Sequence, residues 1–150
     1  MYERILVPLD GSQLAEVALP YAEELAGRLG SEVTLVYVRE STEDLDHHMH
    51  QFYLERMVES TKLAAASYAK KPDKAVQVKS VVLVGNPAER IVEYADKEDT
   101  GLIALATHGR CGITRWALGS VANKVVRATR RPVALIRASG ARADVRKKGI

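Results

Sequence analysis

Short apolar runs alternate along the chain with segments in which apolar residues recur every three or four positions. The runs are typical of strands buried on both faces, and the periodic segments of helices that bury one face. Five strands are predicted, at 5–7, 33–38, 76–84, 102–106 and 133–137. Four helices are predicted between them, at 14–29, 55–70, 87–97 and 120–129. This alternation predicts a single open, five-stranded parallel sheet, doubly wound with four helices, in a Rossmann-like α/β domain.

Capping residues mark several of the helix ends. Asn86 stands before a proline and three positions before Glu89, which is a strong pattern for a helix start. For the first helix, Ser12 is a candidate N-cap and Gly30 a candidate stop. Pro20 lies inside that helix and predicts a kink, because proline has no amide hydrogen to donate.

Residues 39–54 are polar and unpatterned, and they predict a long connection between the second strand and the second helix. This stretch carries His47, His48 and His50. Imidazole clusters bind zinc or nickel in other proteins, but no matching ligand spacing recurs elsewhere in the sequence. The pattern therefore favours a solvated loop and no metal site.

The composition is that of one folded domain, with 47% apolar and 27% charged residues among 150. We place the domain at 1–140 and a basic tail at 141–150. No run approaches the roughly 18 apolar residues that a membrane span requires. A lone cysteine, Cys111, forms no internal disulfide, which favours a reducing interior and predicts a cytoplasmic protein.

The net charge of +3 comes largely from the last ten residues, where four basic side chains face one acidic one. Basic tails attract nucleic acid or anionic lipid, but they are more often solvated ends. The aromatic residues do not alternate with basic ones, as they do in platforms that stack single strands. We therefore expect neither nucleic acid nor a membrane as a partner.

The crossover after the fourth strand carries the most chemical information. Gly109 and Gly112 let the backbone approach a ligand closely, and Gly119-Ser120 then opens a helix whose N-terminus attracts anions. A polyphosphate suits this arrangement, because it needs several donors at once. Alternatively, the glycines only turn the chain and Ser120 caps its own helix. The spacing is not that of a P-loop, which ends in Gly-Lys-Ser/Thr.

The run THGRCG at 107–112, followed after six residues by GSVA at 119–122, resembles the nucleotide loop of the universal stress protein family. That family's ATP-binding signature is Gly, two residues, Gly, nine residues, then Gly with Ser or Thr. The opening ILVPLDGS, the LVYV strand and the closing RPVALIR are similar to the family's other landmarks. One position departs: Ala106 stands where the signature begins with Gly, and its methyl group strains the close approach of a ligand.

The resemblance implies an adenine nucleotide alpha-hydrolase-like fold that binds ATP, or ADP or AMP, with or without Mg²⁺. Pro8 and Leu9 would line the adenine slot, and Val38 would offer its backbone to the adenine edge. Asp10 would bind the ribose hydroxyls or lie near a phosphate-bound metal; alternatively, it caps the first helix through an Asx-turn. The other predicted site residues belong to the phosphate loop: Ala106, His108, Gly109, Arg110, Gly112, Gly119, Ser120 and Val121.

No nucleophile–base pair accompanies this loop, so we predict no catalytic residue and at most slow ATP hydrolysis. The resemblance implies a regulatory, stress-response homodimer that pairs the strand Val133–Arg137 across a two-fold axis and acts on an unknown protein partner. Two alternatives stay open. One is a dimeric interaction module of the same fold that binds no nucleotide. The other is a weak ATPase that uses Asp10, His108 and Ser120.

Overall fold

The computed structural model describes residues 1–43, 46–71, 73–108 and 119–138, and only the backbone of His108. The five strands are β1 (Arg4–Leu9), β2 (Glu32–Arg39), β3 (Val78–Val84), β4 (Leu102–His108) and β5 (Val133–Ala138). The four helices are α1 (Leu19–Leu29), α2 (His47–Ala66), α3 (Pro87–Lys97) and α4 (Ser120–Ala128), and one 3₁₀ turn, Ala15–Ala18, precedes α1. The predicted set of elements is confirmed.

All the strands are parallel and lie in the order β3-β2-β1-β4-β5. The chain builds the sheet outward from β1 in one direction and then in the other, so the order reverses between β1 and β4. Along its length β1 pairs with β2, from Arg4 to Leu9. Its pairing with β4 is confined to Ile5 with Leu102 and Leu6 with Ile103. The sheet is therefore open at its centre toward the carboxyl ends of the strands.

A buried apolar cluster fills each face of the sheet, as the doubly wound prediction requires. One face packs against α1 and α2, and the other against α3 and α4. The first cluster includes Ile5, Val7, Leu35, Leu19, Ala22 and Leu54. The second includes Leu6, Val36, Ile103, Ile91 and Val125. Alternate residues of β1 and β2 thus enter opposite cores, and only the strand ends are left to form a site.

The first predicted helix is divided in two, a 3₁₀ turn and α1, which meet just before Pro20. Pro20 therefore lies in the first turn of α1 and not in a helix interior, and an amide hydrogen is not needed there. The Ser12 hydroxyl accepts from the Ala15 amide at 3.2 Å, which is the capping hydrogen bond predicted for it. The 3₁₀ turn itself begins at Ala15, with Leu14 in the position before it. Gly30 ends α1 with φ of +73°, as predicted.

The second helix begins at His47 and not near Glu55, so the long connection predicted for 39–54 is wrong. The three histidines lie in the first turn of α2 and not in a loop. The reason is that α2 buries a narrow face, whose fully buried residues are Leu54, Thr61 and Ala65. The apolar residues nearest the start of the helix, Met49 and Phe52, face solvent. The inward apolar residues begin only at Tyr53 and Leu54, so the periodicity that marks most helices is absent before them.

The third helix matches its prediction at both ends. The Asn86 side chain accepts from the Glu89 amide at 3.3 Å, which confirms the predicted N-cap. The neighbouring strand β3 begins at Val78, two residues later than the apolar run suggests. Among the described residues, no helix is long and apolar enough to cross a membrane.

Candidate functional site

A cleft of about 680 Å³ opens at the carboxyl ends of β1, β2 and β4, where the strand order reverses. The predicted site residues that line it are Pro8, Leu9, Asp10, Val38, Ala106 and Val121. They come from four separate segments of the chain, which the sheet topology brings to one edge. This is the position at which open α/β sheets bind ligands.

The turn after β1 holds Asp10 at the cleft mouth. One Asp10 carboxylate oxygen accepts from the Ser12 amide at 2.9 Å, so the predicted Asx-turn is confirmed. The Ser12 hydroxyl also donates to that oxygen, and Gly11 takes φ of +85° between them. The left-handed conformation at Gly11 lets the chain turn sharply without strain. The Asx-turn and a place in the cleft wall are therefore compatible roles for Asp10.

Sequence reasoning missed part of the cleft wall, formed by the end of β2 and the segment after it. Arg39, Glu40, Ser41 and Glu43 line the cleft together with the predicted Val38. The Arg39 guanidinium donates to the Thr42 carbonyl oxygen at 3.2 Å and lies 3.1 Å from Nδ1 of His47. It thus joins the cleft wall to the first turn of α2. Their position directly after a strand was the sequence signal that could have predicted them as cleft residues.

The far wall is formed by β4 and the start of α4. Ala106 lies near the end of β4, and Val121 lies in the first turn of α4. Thr107, which is 2% exposed, accepts from the Gly119 amide at 3.3 Å through its hydroxyl and ties the two elements together. Sequence reasoning did not assign this role to Thr107, although the residue opens the glycine-containing run.

The alternative in which Ser120 caps α4 is wrong, because Gly119 takes the N-cap position without a side-chain cap. Asn123 donates the first helical hydrogen bond, to the Gly119 carbonyl oxygen at 2.9 Å. The amides of Ser120 and Val121 precede that bond, so they have no partner within the helix. Among the described residues, Gly119 and Ser120 adjoin the cleft-lining Val121 without lining the cleft themselves.

Three predicted residues, Gly109, Arg110 and Gly112, lie outside the described residues, and so does the side chain of His108. Within the described part of the chain, no three His, Cys, Asp or Glu side chains are arranged to hold a metal ion.

Tyr53 of α2 packs against the core behind the cleft. Burial raises the pKa of its hydroxyl well above the usual value, and the carboxylates of Glu16 and Asp10 act in the same direction. The hydroxyl therefore stays protonated throughout the physiological range. It can donate a proton in a hydrogen bond but cannot serve as a base.

The model of the universal stress protein family matches residues 1–137. The chain belongs to this family. Among its curated members, the universal stress protein MJ0577 of Methanocaldococcus jannaschii is 28% identical, with 91% of this chain and 96% of that protein covered. The universal stress protein YxiE of Bacillus subtilis is 29% identical, with 91% and 100% covered. The resemblance seen in the sequence is thereby confirmed.

Solved structures of the family share the fold. The structure of MJ0577 has a TM-score of 0.64 at 26% identity and covers 93% of this chain and 99% of that one. A universal stress protein in complex with cAMP has a TM-score of 0.66 at 19% identity, over 92% and 98%. The universal stress protein of Archaeoglobus fulgidus in complex with dAMP has a TM-score of 0.62 at 23% identity, over 90% and 98%. The last two show likeness of fold alone.

Proposed function

We propose that the protein binds an adenine nucleotide in this cleft, with ATP preferred to ADP or AMP. The observation that carries the proposal is that six predicted residues from four chain segments line one cleft of about 680 Å³. Pockets that hold small ligands have volumes of roughly 300–1,000 Å³. The cleft also lies where the strand order reverses, which is where sheets of this kind bind nucleotides.

In this proposal the base lies at the end of the cleft formed by β1 and β2. Pro8 and Leu9 supply apolar surface to the adenine ring, and the Val38 backbone meets its polar edge. Asp10 accepts from the ribose hydroxyls with the carboxylate that the Asx-turn holds at the mouth. A Mg²⁺ ion, where present, would bind Asp10 together with phosphate oxygens, since magnesium commonly takes one or two carboxylates plus phosphates.

The phosphates extend toward the N-terminus of α4. The amides of Ser120 and Val121 and the positive end of the helix dipole favour an anion there. By the family resemblance, His108, Gly109, Arg110 and Gly112 complete the phosphate loop. The solved relatives support an adenine nucleotide over other ligands, because one is described in complex with cAMP and another with dAMP.

The proposed protein is a cytoplasmic, regulatory homodimer with a domain at 1–140 and a basic tail at 141–150. Strand β5 supports the dimer, since it is an edge strand of the sheet that the described residues form. Its Leu135 side chain is 38% exposed. An exposed apolar edge strand favours pairing with another chain, and a two-fold axis lets two copies of the same strand pair. Nucleotide occupancy would then change what an unknown protein partner contacts.

One observation favours a second candidate function, a dimeric interaction module that binds no nucleotide. The Ala106 methyl group lies in the cleft wall at the position where the family signature has glycine. If the methyl group blocks the ligand, the cleft binds no nucleotide and the protein acts only through its protein partners.

The test is calorimetric titration with ATP, ADP and AMP, in the presence and absence of Mg²⁺, on protein shown to carry no nucleotide. The deciding variant is Val121→Glu, which places a negative charge in the cleft wall beside the proposed phosphate path. The matched control is Val126→Glu on the same helix. The two valines are 36% and 37% exposed, but only Val121 lines the cleft.

We expect micromolar binding of ATP to the wild type and to Val126→Glu, and at least tenfold weaker binding to Val121→Glu. Equal affinity of the two variants would place the phosphates elsewhere. No binding to the wild type would contradict the proposal and favour the interaction module. Adding Gly119→Val tests the helix N-terminus in the same way, because it places a branched side chain at the N-cap of α4, next to the proposed phosphate path.

A further inference from the structure

The solvent-facing side of α2 carries a second regular pattern, opposite the face that packs on the sheet. Residues that recur every three or four positions along this side form one continuous stripe, which we call the outer stripe of α2. Its members are Met49, Phe52, Arg56, Glu59, Leu63 and Ala66. The spacing of three, four, three, four and three residues is that of the contact positions in paired helices. The proposed nucleotide site does not involve this stripe.

The large apolar members of the stripe are strongly exposed. Met49 is 69% exposed, Phe52 is 62% and Leu63 is 75%. One exposed leucine on a protein surface needs no explanation, but three large apolar side chains at helix-pairing spacing form a surface suited to a partner. The two charged members lie in the middle of the stripe, and both are also exposed.

The stripe is complementary to itself when a second copy is laid against it in the antiparallel direction. Phe52 then faces Leu63 of the second copy, and Met49 faces Ala66 of the second copy. In the two central layers, Arg56 faces Glu59 of the second copy, and the reverse contact follows by symmetry. Every apolar residue meets an apolar residue and each charge meets its opposite, which is the requirement of a two-fold interface.

We propose that α2 packs antiparallel against α2 of a second copy of this chain through the outer stripe. The reciprocal Arg56–Glu59 pair favours a second copy over an unrelated partner, because it fixes both the direction and the register. Within the single chain, the Arg56 guanidinium lies over the Phe52 ring at 6.0 Å, and the Glu59 carboxylate accepts from the Lys62 ammonium at 3.4 Å. Both contacts are weak surface contacts that an intermolecular pair would replace.

The size of the stripe sets the strength of the association. A helix of 20 residues is about 30 Å long, so two such helices bury an area at the small end of specific interfaces. We therefore expect a weak contact, formed at micromolar or higher concentrations. This contact is distinct from the pairing proposed for β5. Helix α2 packs against β2 and β3, which lie at the opposite edge of the sheet from β5. With both contacts present, the assembly would be larger than a dimer.

The test is sedimentation of the full chain over a wide concentration range, for the wild type and three charge variants. Arg56→Glu and Glu59→Arg each set like charges against each other twice in the two-fold pair. Each should weaken the association about tenfold or more. The double variant Arg56→Glu/Glu59→Arg exchanges the charges and should restore the wild-type association. Circular dichroism and thermal unfolding confirm that all four proteins are folded.

Restoration by the double variant is expected only if the stripe meets a second copy of itself in this register. An association weakened by both single changes and not restored by the double change would overturn the proposal in favour of a different partner surface. A mass that is the same for all four proteins at every concentration would also overturn it, since the association would then run through β5 alone or not occur.

Cysteine pairing gives an independent check of the register. Chains carrying Phe52→Cys, mixed with chains carrying Leu63→Cys, should form a disulfide-linked pair under mild oxidation, because the two positions face each other. Either variant alone should not, beyond what the wild type with its Cys111 shows, since each position is then far from its own copy. Equal cross-linking in the mixture and in the single variants would contradict the antiparallel register.

Discussion

The two ends of the sheet are built from the same five strands but differ in how they are closed. At the amino end, side chains and backbone tie the strands to neighbouring segments. The Ser31 hydroxyl donates to the Tyr2 carbonyl oxygen at 2.5 Å, and the Arg4 guanidinium donates to that of Glu98 at 2.6 Å. The Gly101 amide donates to the Arg4 carbonyl oxygen at 2.9 Å. These bonds join segments distant in sequence, so they stabilise the fold as a whole.

At the carboxyl end, Asp10 and Thr107 form side-chain hydrogen bonds within the segments that follow their own strands, and a space is left between these segments. Asp10 binds Ser12 two residues away, and Thr107 binds Gly119 across one crossover. The result is a cleft of about 680 Å³, against a hollow of about 380 Å³ at the amino end. The comparison indicates that substitutions at the amino end should lower stability, and those at the carboxyl end should change ligand affinity.

The largest expected effect comes from a single methyl group at the closed end. In Gly101→Ala the new Cβ would collide with the Met1 carbonyl oxygen and lie 3.1 Å from Cα of Tyr2, both backbone atoms of the segment that leads into β1. We expect the free energy of unfolding to fall by about 2–3 kcal/mol. Urea unfolding followed by circular dichroism measures it.

The matched control is the same substitution at the open end. A Cβ at Gly11 would meet no atom within 4 Å, so the only source of destabilisation in Gly11→Ala is the backbone φ of +85°. That conformation costs an alanine roughly 1 kcal/mol. If the two variants lost equal stability, the amino end would not be the more tightly closed of the two.

The next effect separates the two roles of Asp10. Asp10→Asn keeps an oxygen that accepts from the Ser12 amide, so we expect the free energy of unfolding to change by less than about 0.5 kcal/mol. It removes the charge proposed to bind ribose hydroxyls, so ATP should bind about tenfold more weakly by calorimetry. Asp10→Ala should lose both the turn and the affinity. Unchanged affinity in the asparagine variant would remove Asp10 from the ribose site.

A smaller effect, with opposite signs in affinity and stability, is expected at Ala106. Ala106→Gly removes the methyl group from the cleft wall and should strengthen ATP binding by about threefold, or roughly 0.6 kcal/mol. The same change should lower the free energy of unfolding by about 0.5–1 kcal/mol, because glycine weakens a strand. A variant that loses stability without any gain in affinity would show that the methyl group does not obstruct the ligand.

The smallest effect is a pH-dependent one at the closed end. The Glu32 carboxylate, 2.8 Å from the Lys79 ammonium, accepts a hydrogen bond from it and raises the pKa of Lys79 above 10.5, although burial opposes the shift. A raised folded-state pKa means that the pair stabilises the protein below about pH 10.5, and that this contribution is lost as the pH rises through the folded-state pKa.

We therefore expect Lys79→Gln to cost less than about 1 kcal/mol at neutral pH, since the pair is half-exposed. The difference from the wild type should shrink above pH 10.5. Urea unfolding at neutral and at strongly alkaline pH measures both values. A difference that stays constant across that range would assign the effect to packing of the lysine chain and not to its charge.

The elements that the sequence predicted well are those whose ends have local chemical markers. Helix α3 matches its predicted bounds because Asn86 caps it and a proline begins it. Helix α2 has no such marker, because Asp46 takes its N-cap position without capping the helix through its side chain. Its first turns also place Met49 and Phe52 outward, so the apolar residues there do not follow the sheet-facing period.

The residues of the candidate site also divide into those that a local motif predicts and those that it does not. Pro8, Asp10 and Val121 were predicted because the family resemblance assigns roles to short motifs at strand ends and at a helix start. Arg39 and Glu43 were not, since their place in the cleft depends on how the segment between β2 and α2 folds over the strand ends. That path is a property of the tertiary structure, and the residues of the segment do not specify it.

The short contact between β1 and β4 has a mechanical consequence. Two residue pairs join them, whereas β1 pairs with β2, and β4 with β5, along nearly their full lengths. The hydrogen-bond ladder therefore divides the sheet into two blocks, one of three strands and one of two, whose joint has two ladder pairs and is otherwise held by the shared apolar core. The cleft lies across that joint, with Asp10 on one block and Ala106 on the other. A molecule bound there would contact both blocks and add to the few direct links between β1 and β4.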